Sequence, residues 1–130
     1  MRYALDTNIV IHYLRKNPSV KQNVDVAIDS LLVPSVVDYE LRRGLGKKNA
    51  ENKHILYRTL LQRCRIVDMN RLIWERAIEI YADLRSKSFT VGELDILIAA
   101  TCLVHDCVLV TANTKDFEKI EGLGLIDWTH

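Results

Sequence analysis

The sequence has 130 residues, of which 48% are apolar and 27% are charged. This balance is typical of a single globular domain over residues 1–130, and it excludes disordered and fibrous chains. The longest apolar stretch, from Ile96 to Val104, is too short to cross a membrane, and Asp6 interrupts any N-terminal export signal. Three cysteines without a C-x-x-C motif are expected to be free thiols in a reducing cytoplasm.

The net charge of +1 hides an uneven distribution along the chain. Residues 1–65 carry 12 Lys and Arg against 6 Asp and Glu, whereas residues 66–130 carry 6 against 11. Such a basic stripe could bind a polyanion, since phosphate contacts supply much of the affinity for nucleic acids. The alternative is a solvated helical face. The basic stripe consists of Arg42, Arg43, Lys47, Lys48, Lys53, Arg58, Arg63 and Arg65.

Short apolar runs alternate with helical periods along the chain. We expect strands at residues 3–5, 31–33, 65–68, 107–111 and 125–128. We expect helices at residues 7–15, 19–30, from 35 onward, 50–64, 70–86, 91–105 and 114–120. Capping boxes are predicted at Ser35 with Asp38 and at Thr90 with Glu93. The alternation predicts an α/β sandwich around a mainly parallel sheet.

Four carboxylates from separate segments are expected near one edge of this sheet. Asp6 directly follows the first strand, and Asp116 lies in the turn after the strand at 107–111. Glu40 and Asp95 each lie five residues beyond a predicted helix cap. Open parallel sheets bind ligands just beyond the carboxyl ends of their strands. The four acids could therefore converge on one cleft.

Each acid also has a purely structural explanation. Asp6 could cap the following helix, and Asp116 could close a turn that begins at Asn113. Glu40 could be a solvated helical position. Asp95 has mostly apolar neighbours, and a buried carboxylate costs several kcal/mol unless it is paired, protonated or bound to a metal. Clustered carboxylates without His or Cys select a hard cation such as Mg²⁺ or Mn²⁺, which activates water for phosphodiester hydrolysis.

Several short motifs follow one another in a defined order. They are Leu5-Asp6-Thr7-Asn8, Glu40-Leu41 with Gly44, Asp95 followed by Ile98-Ala99-Ala100, Thr111-x-Asn113-x-x-Asp116-Phe117, and a tail of Ile120-x-Gly122-Leu123 with Asp127-Trp128. In order and spacing these motifs resemble those of the PIN-domain family, and most closely those of VapC-like toxins from toxin–antitoxin pairs. The resemblance runs from Leu5 to Trp128.

The resemblance implies a three-layer α/β/α sandwich and an endoribonuclease that depends on Mg²⁺ or Mn²⁺. It implies an acidic metal site, with Asp6 and Asp95 as its foremost ligands. The site would consist of Asp6, Glu40, Asp95 and Asp116. Four further residues would position the acids and the metal-bound waters through hydrogen bonds. They are Thr7, Asn8, Thr111 and Asn113.

The resemblance also implies partners. The expected substrate is a structured RNA such as tRNA or rRNA, and the expected assembly is a homodimer. A cognate antitoxin would cover the site with its C-terminal segment and bind operator DNA with its N-terminal part. Within the basic stripe, Arg42, Arg43, Lys47 and Lys48 are the expected RNA contacts, and the antitoxin is the alternative partner of the stripe. One departure from the family pattern is His105-Asp106, where a glycine is expected to end the helix.

Other functions remain open at this stage. A housekeeping nuclease of the same fold would process RNA without an antitoxin, and a non-catalytic RNA-binding module could retain the fold. An aspartate phosphatase would carry a second acid where Asn8 stands. A receiver domain would carry an acidic pair where Asp6 stands alone.

Overall fold

A single parallel sheet organises the molecule. The structure, a computed structural model, describes residues 1–46 and 51–130. In that part of the chain the sheet has five strands in the order β3-β2-β1-β4-β5, and every neighbouring pair is parallel. The strands are β1 (Arg2–Leu5), β2 (Leu31–Pro34), β3 (Arg65–Val67), β4 (Cys107–Val110) and β5 (Leu125–Ile126). The prediction of an α/β sandwich with a mainly parallel sheet is confirmed.

Helices connect successive strands, as parallel pairing requires. They are α1 (Thr7–Leu14), α2 (Pro18–Ala27), α3 (Ser35–Leu45), α4 (Glu51–Arg63), α5 (Arg71–Ser86), α6 (Glu93–Val104) and α7 (Thr114–Phe117). The helix expected at 19–30 ends earlier, and a 3-10 turn over Ile28–Ser30 follows it. Across the described ranges, no helix is long and apolar enough to span a membrane.

The predicted capping box at Ser35 is wrong. Helix α3 begins at Ser35 itself, after Pro34 as the N-cap, and no side chain caps it. A residue already inside the helix cannot act as its N-cap. Asp38 accepts hydrogen bonds from Tyr57 and Arg42 instead. Glu40 is consequently the sixth residue of α3.

The predicted capping box at Thr90 is also wrong. Helix α6 begins at Glu93, and Gly92 is its N-cap without a side-chain hydrogen bond. Thr90 therefore lies outside the helix, two residues before the cap. The shift places Asp95 third in α6, within the first turn.

The central strands and α6 form the core. All four residues of β2 are buried, and so is most of β4. Helix α6 buries Ile96 and every residue from Ile98 to Cys102. Such continuous burial fits a sheet that is covered on both faces. This rigid centre carries the strand ends and helix starts where the acids lie.

Helix α6 ends without the expected glycine. His105 is the C-cap, and Asp106 has a φ of 54°. That left-handed conformation is the one for which glycine is favoured after a helix, and Asp tolerates it better than most residues do. The departure from the family pattern therefore keeps the turn and changes only the residue type.

Candidate functional site

Asp6 is held firmly at the carboxyl edge of the sheet. It is the N-cap of α1, and its backbone N–H donates to the Val110 carbonyl at 2.9 Å. Its side chain accepts hydrogen bonds from the hydroxyl of Thr111 at 2.7 Å and the backbone N–H of Thr7 at 2.8 Å. The amide of Asn8 donates a further one at 3.2 Å. With the residue only 5% exposed, the orientation of the carboxylate is largely determined by these donors.

Burial and a neighbouring acid disturb the ionisation of Asp6. Burial raises the pKa of Asp6 above its usual range, and the negative charge of Glu40 adds to this rise. The hydrogen bonds from Thr111, Thr7 and Asn8 act in the opposite direction. The carboxylate is thus desolvated but well supplied with donors, an arrangement common where a carboxylate has a chemical task.

Thr7 connects two of the acids. Its backbone N–H donates to Asp6, while its hydroxyl donates to the Glu40 carboxylate at 2.8 Å. Glu40 is half-buried on α3, which packs against α1. One residue therefore sets the position of Glu40 relative to Asp6.

Asn8 and Thr111 connect the residues that follow β1 to the segment that follows β4. The side-chain oxygen of Asn8 accepts from the backbone N–H of Ala112 at 3.0 Å. The hydroxyl of Thr111 donates to Asp6 and accepts from the backbone N–H of Asn113 at 3.0 Å. Thr111 and Asn8 therefore touch an acid through their side chains, whereas the exposed Asn113 acts through its main chain.

Asp95 and Asp116 complete the group of acids. Burial raises the pKa of Asp95 to about 6, and the charges of Asp6, Glu40 and Asp116 raise it in that order of importance. Asp116 is exposed in the first turn of α7, and its N–H donates to the Asn113 carbonyl at 3.0 Å. The structure thus brings the four sequence-predicted acids into one electrostatic neighbourhood.

The acids suit a hydrated hard cation better than a closed metal cage. Within residues 1–46 and 51–130, no group of three or more His, Cys, Asp or Glu side chains has the geometry that holds a metal ion. The donors at this edge are all oxygen atoms, which match Mg²⁺ or Mn²⁺ and not zinc. Mg²⁺ keeps several waters and uses few carboxylates. The acids repel one another, and such a cation would neutralise their excess negative charge.

The structure separates the members of the basic stripe. Two of them lie on α3. Arg42 donates to Asp38 at 2.9 Å, and the Asp38 side chain is only 10% exposed. Arg43 is exposed and packs over the ring of Tyr39 at 4.9 Å. The charge of Arg42 is therefore balanced within the protein, whereas Arg43 presents its guanidinium to solvent beside an aromatic ring.

Two further members of the basic stripe lie away from α3. Arg63 ends α4 and pairs with Asp25 at 3.4 Å, while Arg65 begins β3 at the opposite edge of the sheet from the acids. Lys47 and Lys48, which we expected to contact RNA, lie outside the described residues. The stripe is consequently not one continuous face.

One buried contact near the site was not anticipated. Tyr57 of α4 donates its hydroxyl to Asp38 of α3 at 2.7 Å, and both residues are buried. In the sequence, the only signs of this contact are the four-residue spacing of Asp38 and Arg42 and the presence of Tyr57 in the basic helix α4. The contact fixes α3, the helix that carries Glu40.

Comparison with known proteins identifies the family. A family model described as the PIN domain matches residues 3–123. Ribonuclease VapC2 of Rickettsia felis is 31% identical over 132 residues, which cover 98% of each chain. The tRNA(fMet)-specific endonuclease VapC of Shigella flexneri is 27% identical over 131 residues, which cover 99% of each chain.

Solved structures give the same result. VapBC2 from Rickettsia felis, crystallised with a DNA fragment from its promoter, superposes with a TM-score of 0.90 at 30% identity, covering 98% of this chain and 99% of that chain. VapBC-1 from nontypeable Haemophilus influenzae superposes with a TM-score of 0.86 at 28% identity over 100% of each chain. The chain belongs to the PIN domain family, with the VapC ribonucleases as its relatives.

Proposed function

We propose that this protein is a divalent-metal-dependent endoribonuclease and the toxin of a toxin–antitoxin pair. The observation that carries the proposal is the hydrogen-bond network in which Thr7 joins Asp6 to Glu40 and Thr111 joins Asp6 to the segment that leads to Asp116. End-to-end similarity to a VapC ribonuclease supports the same activity. The reaction is hydrolysis of an RNA phosphodiester bond.

The acids would hold Mg²⁺ or Mn²⁺ between the carboxyl edge of the sheet and the start of α6. When bound, the ion supplies an acidified water and neutralises the charge of the phosphodiester. Thr111, Thr7 and Asn8 hold the Asp6 carboxylate as an acceptor, because each donates a hydrogen bond to it. Thr7 also orients Glu40. The protein's own contribution is thus a preorganised set of oxygen atoms.

A structured RNA such as tRNA is the proposed substrate. One relative is named a tRNA(fMet)-specific endonuclease, which supports this class of RNA. Arg43 beside Tyr39 supplies a cation and an aromatic face, the two groups that hold phosphates and unstacked bases. The two groups lie on α3, the helix that carries Glu40.

A cognate antitoxin is the proposed partner. Solved relatives are VapBC assemblies, and one of them is bound to promoter DNA. We infer that this protein forms a homodimer, that an antitoxin inhibits it in the cytoplasm, and that operator DNA is reached only through the antitoxin.

Cleavage of labelled total tRNA by antitoxin-free protein tests this function. We expect discrete cuts with Mg²⁺ or Mn²⁺, none with EDTA, and a loss of about 100-fold or more in Asp95→Asn, because one carboxylate of a metal site is removed. Asp83→Asn removes an acid on α5 and serves as the matched control, with cleavage unchanged.

Other outcomes separate the alternatives. RNA binding without cleavage by the unaltered protein would indicate a non-catalytic module. Cleavage without growth arrest upon expression would indicate a housekeeping nuclease. Cleavage that survives both EDTA and Asp95→Asn would contradict the proposed site.

A further inference from the structure

A concave site lies at the amino edge of the sheet, opposite the acids. Arg2 is the first residue of β1 and Arg65 the first residue of β3, and β2 lies between these strands. A cavity of about 350 Å³ opens here, lined by Arg2, residues 28–32 and residues 62–65. We call it the amino-edge pocket.

Three arginines from two segments, Arg2 and residues 62–65, line the amino-edge pocket. Arg2, Arg63 and Arg65 contribute positive charge, and Asp29 is the one acid in the lining. Arg63 has a loose ion pair with Asp25 at 3.4 Å, and both side chains are more than a third exposed. Neither Arg2 nor Arg65 forms an ion pair with any residue in the ranges 1–46 and 51–130. The lining, with three arginines and one aspartate, therefore carries a net positive charge.

Arg2 and Arg65 affect the pKa of two neighbouring groups at this edge. Burial lowers the pKa of His105, and Arg2 and Arg65 lower it further. Burial raises the pKa of Cys107; the same two arginines oppose that rise, and the charge of Asp106 adds to it. Arg2 also donates to the backbone carbonyl of His105. Arg2 and Arg65 thus both act on His105 and Cys107, and both line the amino-edge pocket.

We propose that the amino-edge pocket binds a phosphate group through Arg2, Arg63 and Arg65. The planar guanidinium presents paired N–H donors that match phosphate oxygens, and it stays charged at any working pH. The cavity volume lies at the lower end of the range for ligand pockets. It therefore suits one phosphate with an attached sugar rather than a larger cofactor.

The phosphate cannot be the one that is cleaved. Strands β1 and β2 are four residues long, so the two edges of the sheet are about 13 Å apart. The phosphate belongs either to a distant part of a folded RNA or to a small phosphorylated molecule. Both sources offer the same chemistry, and the proposal does not depend on metal binding or on RNA cleavage.

Thermal unfolding with inorganic phosphate and with adenosine 5′-monophosphate tests the proposal. We expect a saturable rise in Tm beyond that caused by sodium chloride at equal ionic strength. Arg2→Gln/Arg65→Gln should weaken the binding of both probes by about tenfold or more, since two of the three donors are lost. Arg71→Gln/Arg76→Gln removes the same charge from exposed positions on α5, outside the pocket and outside the basic stripe, and affinity should change less than about twofold.

Two results would overturn the proposal. One is the absence of a saturable effect beyond that of sodium chloride, and the other is an equal loss of affinity in both double variants. The source is identified by tRNA binding in EDTA. A loss of tRNA affinity specific to Arg2→Gln/Arg65→Gln assigns the pocket to the RNA backbone. Unchanged tRNA affinity with weakened phosphate binding assigns it to a small phosphorylated molecule.

Discussion

Thr111 contributes a hydroxyl group that connects the end of β4 to Asp6. The residue is fully buried, and its hydroxyl makes the shortest of the hydrogen bonds to the Asp6 carboxylate. Thr111→Val keeps the side-chain shape but removes that donor, together with the acceptor of the Asn113 backbone N–H. We expect cleavage to fall by about tenfold, because one lost hydrogen bond to a charged group is worth about 1.5–3 kcal/mol. Single-turnover cleavage of tRNA measures the loss.

Thr101→Val is the matched control for this change. Thr101 is also a buried threonine, but its hydroxyl donates to the Leu97 carbonyl within α6 and touches no acid of the site. Its cleavage rate should stay within about twofold of that of the unaltered protein. An equal loss in both variants would mean that Thr111 acts only through general stability.

Asp95 links the site to stability through its pKa. The folded-state pKa is about 6, against an ordinary value of 3.8. A raised carboxyl pKa means that the ionised group destabilises the fold above about pH 6, and that this cost is absent below the unfolded-state pKa. In EDTA at pH 8, Asp95→Asn should therefore stabilise the protein by about 1 kcal/mol, with solvent screening taken into account.

Denaturant unfolding at several pH values checks this prediction. The gain from Asp95→Asn should shrink as the pH falls from 8 towards 4, because the folded-state carboxyl group becomes protonated below about pH 6. A gain that is the same at both pH values would contradict electrostatic strain as its cause. Together with the expected loss of cleavage, this result would show that the acid group is retained at the expense of stability.

At the scale of elements, one buried hydrogen bond joins α3 to α4. Asp38 is 7% exposed and accepts from the hydroxyl of Tyr57 and from Arg42. Burial raises the pKa of Tyr57, and the Asp38 acceptor raises it further, so the hydroxyl remains a donor. Tyr57→Phe removes one of the two partners of a buried carboxylate. We expect a loss of about 1–3 kcal/mol in the free energy of unfolding.

Urea denaturation with Tyr81→Phe as the control measures the effect. The hydroxyl of Tyr81 accepts from Arg85 at 3.0 Å on the exposed face of α5, so its loss should cost less than about 0.5 kcal/mol. If the two variants were equally stable, the contact between α3 and α4 would have no structural importance. Because α3 carries Glu40, a weakened contact should also reduce cleavage.

Periodic patterns predicted the elements and the starts of α1, α3 and α7, whereas both predicted capping boxes were wrong. The apolar run at 107–111 and the amphipathic pattern at 70–86 correspond to β4 and α5, because side-chain periodicity follows backbone geometry. The capping boxes failed because a cap depends on backbone conformation and on competing partners. Asp38 bonds to Tyr57, which lies 19 residues away and was not predictable from local spacing.

The candidate site could be predicted in outline. Strand ends and helix starts bring the acids to one edge, and this follows from parallel topology alone. The partners of each side chain could not be predicted. Thr7 serves both Asp6 and Glu40, and Asn113 acts through its backbone; such choices depend on side-chain orientation after folding.

At the scale of the whole molecule, charge is separated between the edges of the sheet. The acids lie at the carboxyl edge, and Arg2 and Arg65 lie at the amino edge. The count of charged residues along the sequence suggested one basic stripe, but in the folded protein Arg42 pairs with Asp38. A net charge of +1 therefore arises from local regions of opposite sign rather than from a weakly charged surface.

RNA affinity should reflect this arrangement on α3. Arg43 forms no ion pair with any residue of the described ranges, whereas Arg42 pairs with the buried Asp38. Arg43→Ala should weaken tRNA binding in EDTA by about threefold to tenfold and reduce the salt slope by about 1, since one phosphate contact is lost. Arg42→Ala should leave the slope unchanged and lower stability instead. Filter binding between about 50 and 200 mM salt measures the salt dependence of tRNA affinity for both variants. If this dependence is reduced only in Arg42→Ala, then Arg42 and not Arg43 contacts the RNA.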